Sequence, residues 1–352
     1  VKRVLADKIA SVTKSLPLRR DLRVSETIHC EEGAVVAVRI LNEKSHYNTL
    51  ELTTGRFAAI KPGDIIVGAL GFRNALLGYS GVIPQKLAPG DRVQVLNLGG
   101  VIGHCTSYSP SVGEPFQAEV LGQVLTFGEL GSRKGTPANI AAHCPPLAKA
   151  LPEVKTPVIA VVGTCMNSGK TEACLALIQQ FVRKGLRVVA AKTTGVSLRR
   201  DVLAMEDAGA ERALIFTDFG VVTTSARTSA QLTCTMLAEL DGTHADVIVV
   251  ELGDGLMGDY GVDAILEHPD LQRHLQHIVL AANDPVGAWG GVRMMAERYN
   301  LKPAVVTGPA TDHEAGSRLI ETQLGVPAIN ARSRPEPFAK LLISTLGLHH
   351  AK

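Results

Sequence analysis

Residues 157–177 read PVIAVVGTCMNSGKTEACLAL. Val158–Val162 is an unbroken apolar run of the kind that forms a buried strand. Gly163-Thr-Cys-Met-Asn-Ser-Gly169-Lys170-Thr171 follows and fits G-x-x-x-x-G-K-[ST]. From there the apolar spacing becomes helical. Strand, glycine loop and helix in that order are the context in which this motif cradles phosphate. Gly163 and Gly169 let the backbone turn tightly. The N–H groups of the loop, which also holds Thr164, Asn167 and Ser168, then face a polyphosphate together with the helix N-terminus. Lys170 is placed to reach the β- and γ-phosphates, and the Thr171 hydroxyl to ligand Mg²⁺.

Downstream, apolar strands alternate with helices. The helix continues through Glu172–Lys184 and closes at Gly185. Strands are expected at Arg187–Lys192, Ala213–Phe216, Val247–Glu251, Ile278–Ala282, Pro303–Thr307 and Pro327–Ile329. Helices are expected at Arg199–Gly209, Thr228–Leu240, Gly261–His268, Gly290–Tyr299, His313–Leu324 and Pro335–Leu346. This alternation predicts a doubly wound α/β fold with a mostly parallel sheet. Its site belongs at the carboxyl ends of the strands.

Those ends carry chemistry. Glu251 closes the run VIVV and is placed to complete a Mg²⁺ site, directly or through water. Lys192 ends another strand, where it would neutralise a transferring phosphoryl group or hold an anionic substrate. Asn283 follows IVLAA and is a candidate reader of the nucleotide base. Arg199 and Arg200, at a helix start, and Asp254, in a Gly-Asp-Gly turn, are possible substrate contacts. No Asn-Lys-x-Asp guanine signature is present.

Upstream of the motif the pattern changes. Residues 1–23 read as an amphipathic helix, with Val4, Leu5, Ile9, Val12 and Leu16 at helical spacing. Residues 24–127 read as a smaller β-rich domain, a barrel or sandwich. Its expected strands are Ala34–Leu41, Thr49–Thr53, Asp64–Leu70, Arg92–Leu98 and Gln117–Phe127. Pro-Gly-Asp occurs at 62–64 and again at 89–91, each time before an apolar run. Gly68, Gly71, Gly78 and Gly81 mark either bends in a curved sheet or a ligand loop. Residues 128–155 read as a linker rich in glycine and proline, with a short helix near Ala138–His143. The phosphate-loop domain then occupies 156–352.

Bulk composition narrows the class. The 352 residues are 45% hydrophobic and 20% charged, enough for two globular cores. A net charge of +2 gives no basic field for nucleic acid. No apolar run is long enough to span a membrane, and the N-terminus lacks the apolar core of a secretory signal. Six cysteines, one of them inside the phosphate loop, fit reduced thiols and a cytoplasmic setting. His29-Cys30, His104-Cys105 and His143-Cys144 are soft-ligand pairs, though none has the spacing of a metal clip.

With these residues in view, roughly 156–330 resembles the dethiobiotin synthetase-like branch of P-loop NTPases. That branch includes the molybdopterin-guanine dinucleotide B-type proteins. The likeness rests on Gly163-Thr164, Gly169-Lys170-Thr171, Gly185-Leu-Arg-Val188 leading to Lys192, Val250-Glu251 with Gly253 and Gly255, and Asn283. The segment from Asp201 to Asp207-Ala-Gly-Ala210 resembles one in the molybdopterin-type proteins. Two positions depart from the pattern: Cys165 stands where relatives often carry an acid, and Thr rather than Pro follows Lys192. The resemblance implies a Mg²⁺–ATP enzyme of synthetase, ligase or nucleotide-hydrolase type. It would activate a small carboxylate or carbamate, with Lys170, Lys192 and Glu251 in the catalytic roles and the chain in a homo-oligomer. Two alternatives stand beside it. One is a nucleotide-driven switch or metallochaperone, using ATP or GTP with a partner. The other is an acyltransferase that holds acyl-CoA on the loop, as implied by similarity to the P-loop family that includes D-glutamate N-acetyltransferase.

Overall fold

The computed structural model describes residues 1–128, 134–148, 150, 153–275 and 277–347. The chain forms two compact units. One gathers Val1–Pro146 with Val196–Arg200 and Phe216–Thr223. The other gathers Leu147–Gly195, Asp201–Ile215 and Thr224–Lys352. The first unit thus runs to Pro146 and is joined by two later segments.

The second unit is built on six strands: β1 (Val158–Gly163), β2 (Val188–Thr194), β3 (Arg212–Ile215), β4 (Val247–Leu252), β5 (His277–Ala281) and β6 (Val305–Thr307). Their order in the sheet is β3-β2-β4-β1-β5-β6, and every pairing is parallel. Every residue of β1, β2 and β4 is buried. That is why each strand opens on a continuous apolar run rather than an alternating one, with Lys192 and Glu251 only at the carboxyl ends of β2 and β4. Helices connect them: α1 (Lys170–Arg183), α2 (Arg200–Asp207), α3 (Ser229–Asp241), α4 (Val262–Glu267), α5 (Pro269–His274), α6 (Pro285–Tyr299), α7 (Glu314–Leu324) and α8 (Pro335–Leu346). Helix α1 buries Ala173, Cys174, Leu177, Ile178 and Phe181, one apolar stripe at helical spacing. The expected strand Pro327–Ile329 is reduced to an isolated bridge between Val306 and Ala328. The chain leaves β1 for β2 on one side of the sheet and returns to β5 on the other. The loop after β1 thus lies at the point where strand order reverses, where parallel sheets open a crevice.

The first unit contains a closed ring of five strands. Phe116–Thr126 pairs with Val35–Ile40, which pairs with Ile65–Leu70. Ile65–Leu70 runs parallel to Val101–Tyr108, which pairs with Arg92–Val95, and that strand returns to Phe116–Thr126. Of the barrel and sandwich alternatives, the barrel is found. Ile66, Leu70, Leu96, Ile102, Val120 and Val124 are among its fully buried side chains. Gly68 lies on the parallel pair, where a Cβ would stand 2.2 Å from the Gly100 carbonyl oxygen. A Cβ on Gly81 would meet the His104 carbonyl oxygen at 2.7 Å. These glycines therefore serve close packing of the curved sheet.

The N-terminal helix is not found. Lys2–Leu5 is a strand antiparallel to Asp21–Ser25, Lys8–Ile9 pairs parallel with Ile65–Leu70, and Ser11–Thr13 is a 3-10 turn. Within Lys2–Leu5 only Val4 is buried, a half-covered strand pattern. The apolar positions fit a helix by spacing, but β-branched Val4 and Ile9 suit strands, and open sheet edges supplied the pairing. The expected linker is also structured where described. Thr136–Pro137 pairs with Phe116–Thr126, and Asn139 caps a 3-10 turn at Ile140–His143. The linker residues 129–133, 149, 151 and 152 lie outside the described residues.

Candidate functional site

Strand register assembles the site within the second unit. Lys192 on β2 aligns with Glu251 on β4, and Glu251 aligns with Val161 on β1. Two residues beyond Val161 the chain leaves β1 at Gly163 and enters the loop. A Cβ on Gly163 would stand 2.4 Å from Ser168 Oγ and 2.9 Å from Lys170 Nζ. A larger residue there would fill the cradle. Asn167 and Gly169 both take left-handed backbone conformations, with φ of 57° and 92°. This turns the chain sharply into α1, for which Gly169 is the N-cap. The loop is also pinned from its neighbours. Thr164 N–H donates to the Ala281 carbonyl at 2.9 Å, and Leu256 N–H to the Gly163 carbonyl at 2.9 Å.

Lys170 is buried across the loop. Its Nζ donates to the carbonyl oxygens of Cys165, at 2.8 Å, and Asp254. Burial pushes its pKa down, against the opposing pull of Glu251. Thr171 Oγ1 donates to Glu251 Oε1 at 3.2 Å. Glu251 is only 2% exposed, and its Oε2 is buried with no hydrogen-bond partner. Burial pushes its carboxyl pKa up, with Lys192 pulling the other way. A buried carboxylate oxygen that the protein leaves unsatisfied, beside a threonine hydroxyl at the mouth of a phosphate loop, suits a hard dication with oxygen ligands. Ser168 Oγ is likewise buried without a partner inside the loop.

Lys192 is brought to this site but is engaged. Its Nζ pairs with Asp201 and lies 3.9 Å from Glu251 Oε1. Asp201, in the first turn of α2, was given no role from sequence. Its only signal was its place in the Asp…Ala-Gly-Ala segment, because an ion partner nine residues from Lys192 has no characteristic spacing. Asp254 has φ of 74° and is buried, and it contributes its carbonyl to Lys170. The flanking Gly255 lets the turn approach the loop, since a Cβ there would lie 2.8 Å from Cys165 Cα.

Two sequence candidates go elsewhere, and a third stays beside the phosphate loop. Arg199 belongs to the barrel unit, where its N–H donates to Glu51 at 2.8 Å and its guanidinium pairs with Asp218 at 2.5 Å. Arg200 is exposed at the start of α2. Asn283 donates to Cys165 Sγ at 3.0 Å. A groove of about 210 Å³ opens instead on the other flank of the loop. Its walls include Asn167, Gly169, Glu172, Asp312, Asn330 and Arg332. Asp312 lies just beyond the strand expected at Pro303–Thr307, in a segment without a recognisable motif. Residues 330–332 carried no signal.

At least one member of each His-Cys pair is bonded locally. His29 bonds Gln123, His104 bonds the Arg92 carbonyl, and Cys105 and Cys144 donate to the carbonyls of Ser107 and Ile140. Among the described residues no group of three or more His, Cys, Asp or Glu side chains is placed to hold a metal. No helix among them is long and apolar enough to cross a membrane.

No family model and no curated protein matches the sequence. Solved structures give slight likenesses. The signal recognition particle receptor FtsY from Elizabethkingia anophelis, in complex with GDP, is 18% identical, with 59% of this chain and 69% of that chain covered and a TM-score of 0.39. FtsY from Thermotoga maritima is 19% identical over 55% and 70%, with a TM-score of 0.38. A DUF1611 family protein from Anabaena variabilis is 15% identical over 60% and 64%, with a TM-score of 0.38. At these scores the likeness carries no assignment of function.

Proposed function

We propose that the chain binds a nucleoside triphosphate with Mg²⁺ on the 163–171 loop and hydrolyses it, working as a nucleotide-driven switch. The observation that carries this is the convergence of Lys170, Thr171 and Glu251 at one loop mouth, with a buried Glu251 oxygen left without a partner. Lys170 and the loop N–H groups would bind the phosphates, and Thr171 and Glu251 would hold Mg²⁺, which supplies charge neutralisation when bound. The protein's own contribution is positioning and electrostatic stabilisation. The groove beside Asn167 and Gly169 would take the nucleoside, a role first expected of Asn283.

Ligation of a small carboxylate is less well supported. Of its three expected acceptor-binding cations, Lys192 is engaged by Asp201 and Glu251, Arg199 by Asp218, and Arg200 is exposed at the start of α2. Placement in the dethiobiotin synthetase-like branch rests on the motif residues alone. The test is a thermal-shift and calorimetric comparison of ATP, GTP and acetyl-CoA, with and without Mg²⁺. A Mg²⁺-dependent shift with one triphosphate, followed by phosphate release without any carboxylate added, supports the proposal. A shift with acetyl-CoA alone would replace it with acyl transfer.

A further inference from the structure

The protein's single tryptophan lies on the surface. Helix α6 turns Val286, Trp289 and Arg293 outward at helical spacing, and Glu297 follows one turn on. Val286 is 76% exposed and Trp289 52%, and Leu319 of α7 is 49% exposed beside them. Two hollows meet at Trp289. One, of about 590 Å³, is lined by Trp289, Gly290, Arg293, Met294, Glu297 and Arg298. The other, of about 200 Å³, runs between α6 and α7 and includes Val286, Leu319 and Leu324. Tryptophan, methionine and arginine are the residues that dominate protein–protein contacts.

We infer that this face of α6 and α7 joins two copies of the chain about a two-fold axis. Both halves of the fit are on the same helix. An indole offers a flat π face to a cation and one N–H donor at its edge. The larger hollow offers the guanidinium of Arg293, the carboxylate of Glu297, a thioether, and the bare backbone at Gly290, where a Cβ would meet nothing within 4 Å, while Arg298 at its wall is held by Glu267 at 3.0 Å. Arg293 already lies over its own Trp289 ring at 6.0 Å. Arg293 and Glu297 form an exposed pair at 3.5 Å. Such a pair contributes little by itself and can exchange partners across an interface at little cost. A surface holding both knob and hole, with both signs of charge, is self-complementary, as a two-fold contact requires. The smaller hollow accepts Val286 of the second copy, extending the apolar centre toward Leu319. None of this depends on the nucleotide site.

The test is sedimentation equilibrium of the full chain from about 0.1 to about 100 μM, with tryptophan emission read across the same range. Trp289 is the only tryptophan, so emission reports this patch alone. A dimer whose formation shifts emission to shorter wavelength is expected. Trp289→Ala and Arg293→Glu should each weaken association at least tenfold. Arg293→Glu keeps the probe, so its unshifted emission and its circular dichroism separate lost association from lost folding. A chain that stays monomeric to 100 μM overturns the inference. So does a dimer whose emission never shifts, or one that survives both substitutions.

Discussion

Thr171 donates its hydroxyl hydrogen to Glu251 Oε1 across 3.2 Å, joining the first turn of α1 to the end of β4, 80 residues later in the chain. The bond exists because β1 and β4 are parallel neighbours with Val161 opposite Glu251. It ties the phosphate loop to a carboxylate whose second oxygen is buried without a hydrogen-bond partner. The predictions for the site follow from what each partner does there.

Lys170→Ala should weaken triphosphate binding by on the order of 100-fold, about 2.7 kcal/mol, since charge-assisted bonds to phosphate are lost. The unliganded protein should not lose stability in proportion. The ammonium is buried with its pKa pushed down, so its charged form is costly until phosphate arrives. Calorimetric titration and thermal unfolding of the same sample check both halves. An unchanged affinity would remove Lys170 from the phosphate site.

Gly163→Ala should abolish nucleotide binding while leaving the fold intact. The added methyl group would lie 2.4 Å from Ser168 Oγ and 2.9 Å from Lys170 Nζ, displacing the two groups that shape the cradle. Circular dichroism should be unchanged, and the thermal shift produced by Mg²⁺–triphosphate should vanish.

Binding of Mg²⁺–nucleotide should have an acid limb set by Glu251 and an alkaline limb set by Lys170. Burial raises the Glu251 pKa above its usual 4.5. Mg²⁺ requires the carboxylate, so affinity is lost as pH falls through that raised value. Burial lowers the Lys170 pKa below 10.5, and phosphate requires the ammonium. Affinity is therefore lost as pH rises through that lowered value. The stability of the unliganded chain has the opposite signs: the Glu251 contribution declines as pH rises from 4.5 through the folded value, and the Lys170 contribution improves as pH rises toward 10.5. Glu251→Gln should remove the acid limb of the binding profile and the Mg²⁺ dependence together. Titrations across pH, with and without Mg²⁺, provide the measurement.

Lys192→Met and Asp201→Asn should each destabilise the protein, Lys192→Met by about 3–5 kcal/mol and Asp201→Asn by less, because each breaks the buried Lys192–Asp201 pair while Glu251 still lies 3.9 Å from Lys192 in the second variant. The double substitution should cost less than the sum of the two. Urea unfolding of the four proteins gives the coupling directly. Additive effects would mean the pair is not an energetic unit.

How far the sequence could be read is clear from particular elements. Val158–Gly163 was legible because a parallel strand covered on both faces favours an apolar residue at successive positions. The 163–171 loop was legible because phosphate binding needs glycines and a lysine at fixed offsets. Glu251 was found by its place after an apolar run. Lys2–Leu16 was misread because four or five spaced apolar residues satisfy a helix and a pair of short strands alike. Val101–Tyr108 was missed because its outer half is polar and mostly exposed, although it closes the barrel.

The sequence by itself determined the strand–loop–helix and the α/β alternation, since both are written in local spacing and in backbone conformations that only certain residues adopt. Tertiary structure alone decided that Asp201 occupies Lys192, that Arg199 turns to Glu51 and Asp218, and that residues near 167, 312 and 330 form one groove. Those outcomes depend on strand order and register, which bring together side chains far apart in the chain, and no short-range pattern records which distant partner a charge will meet.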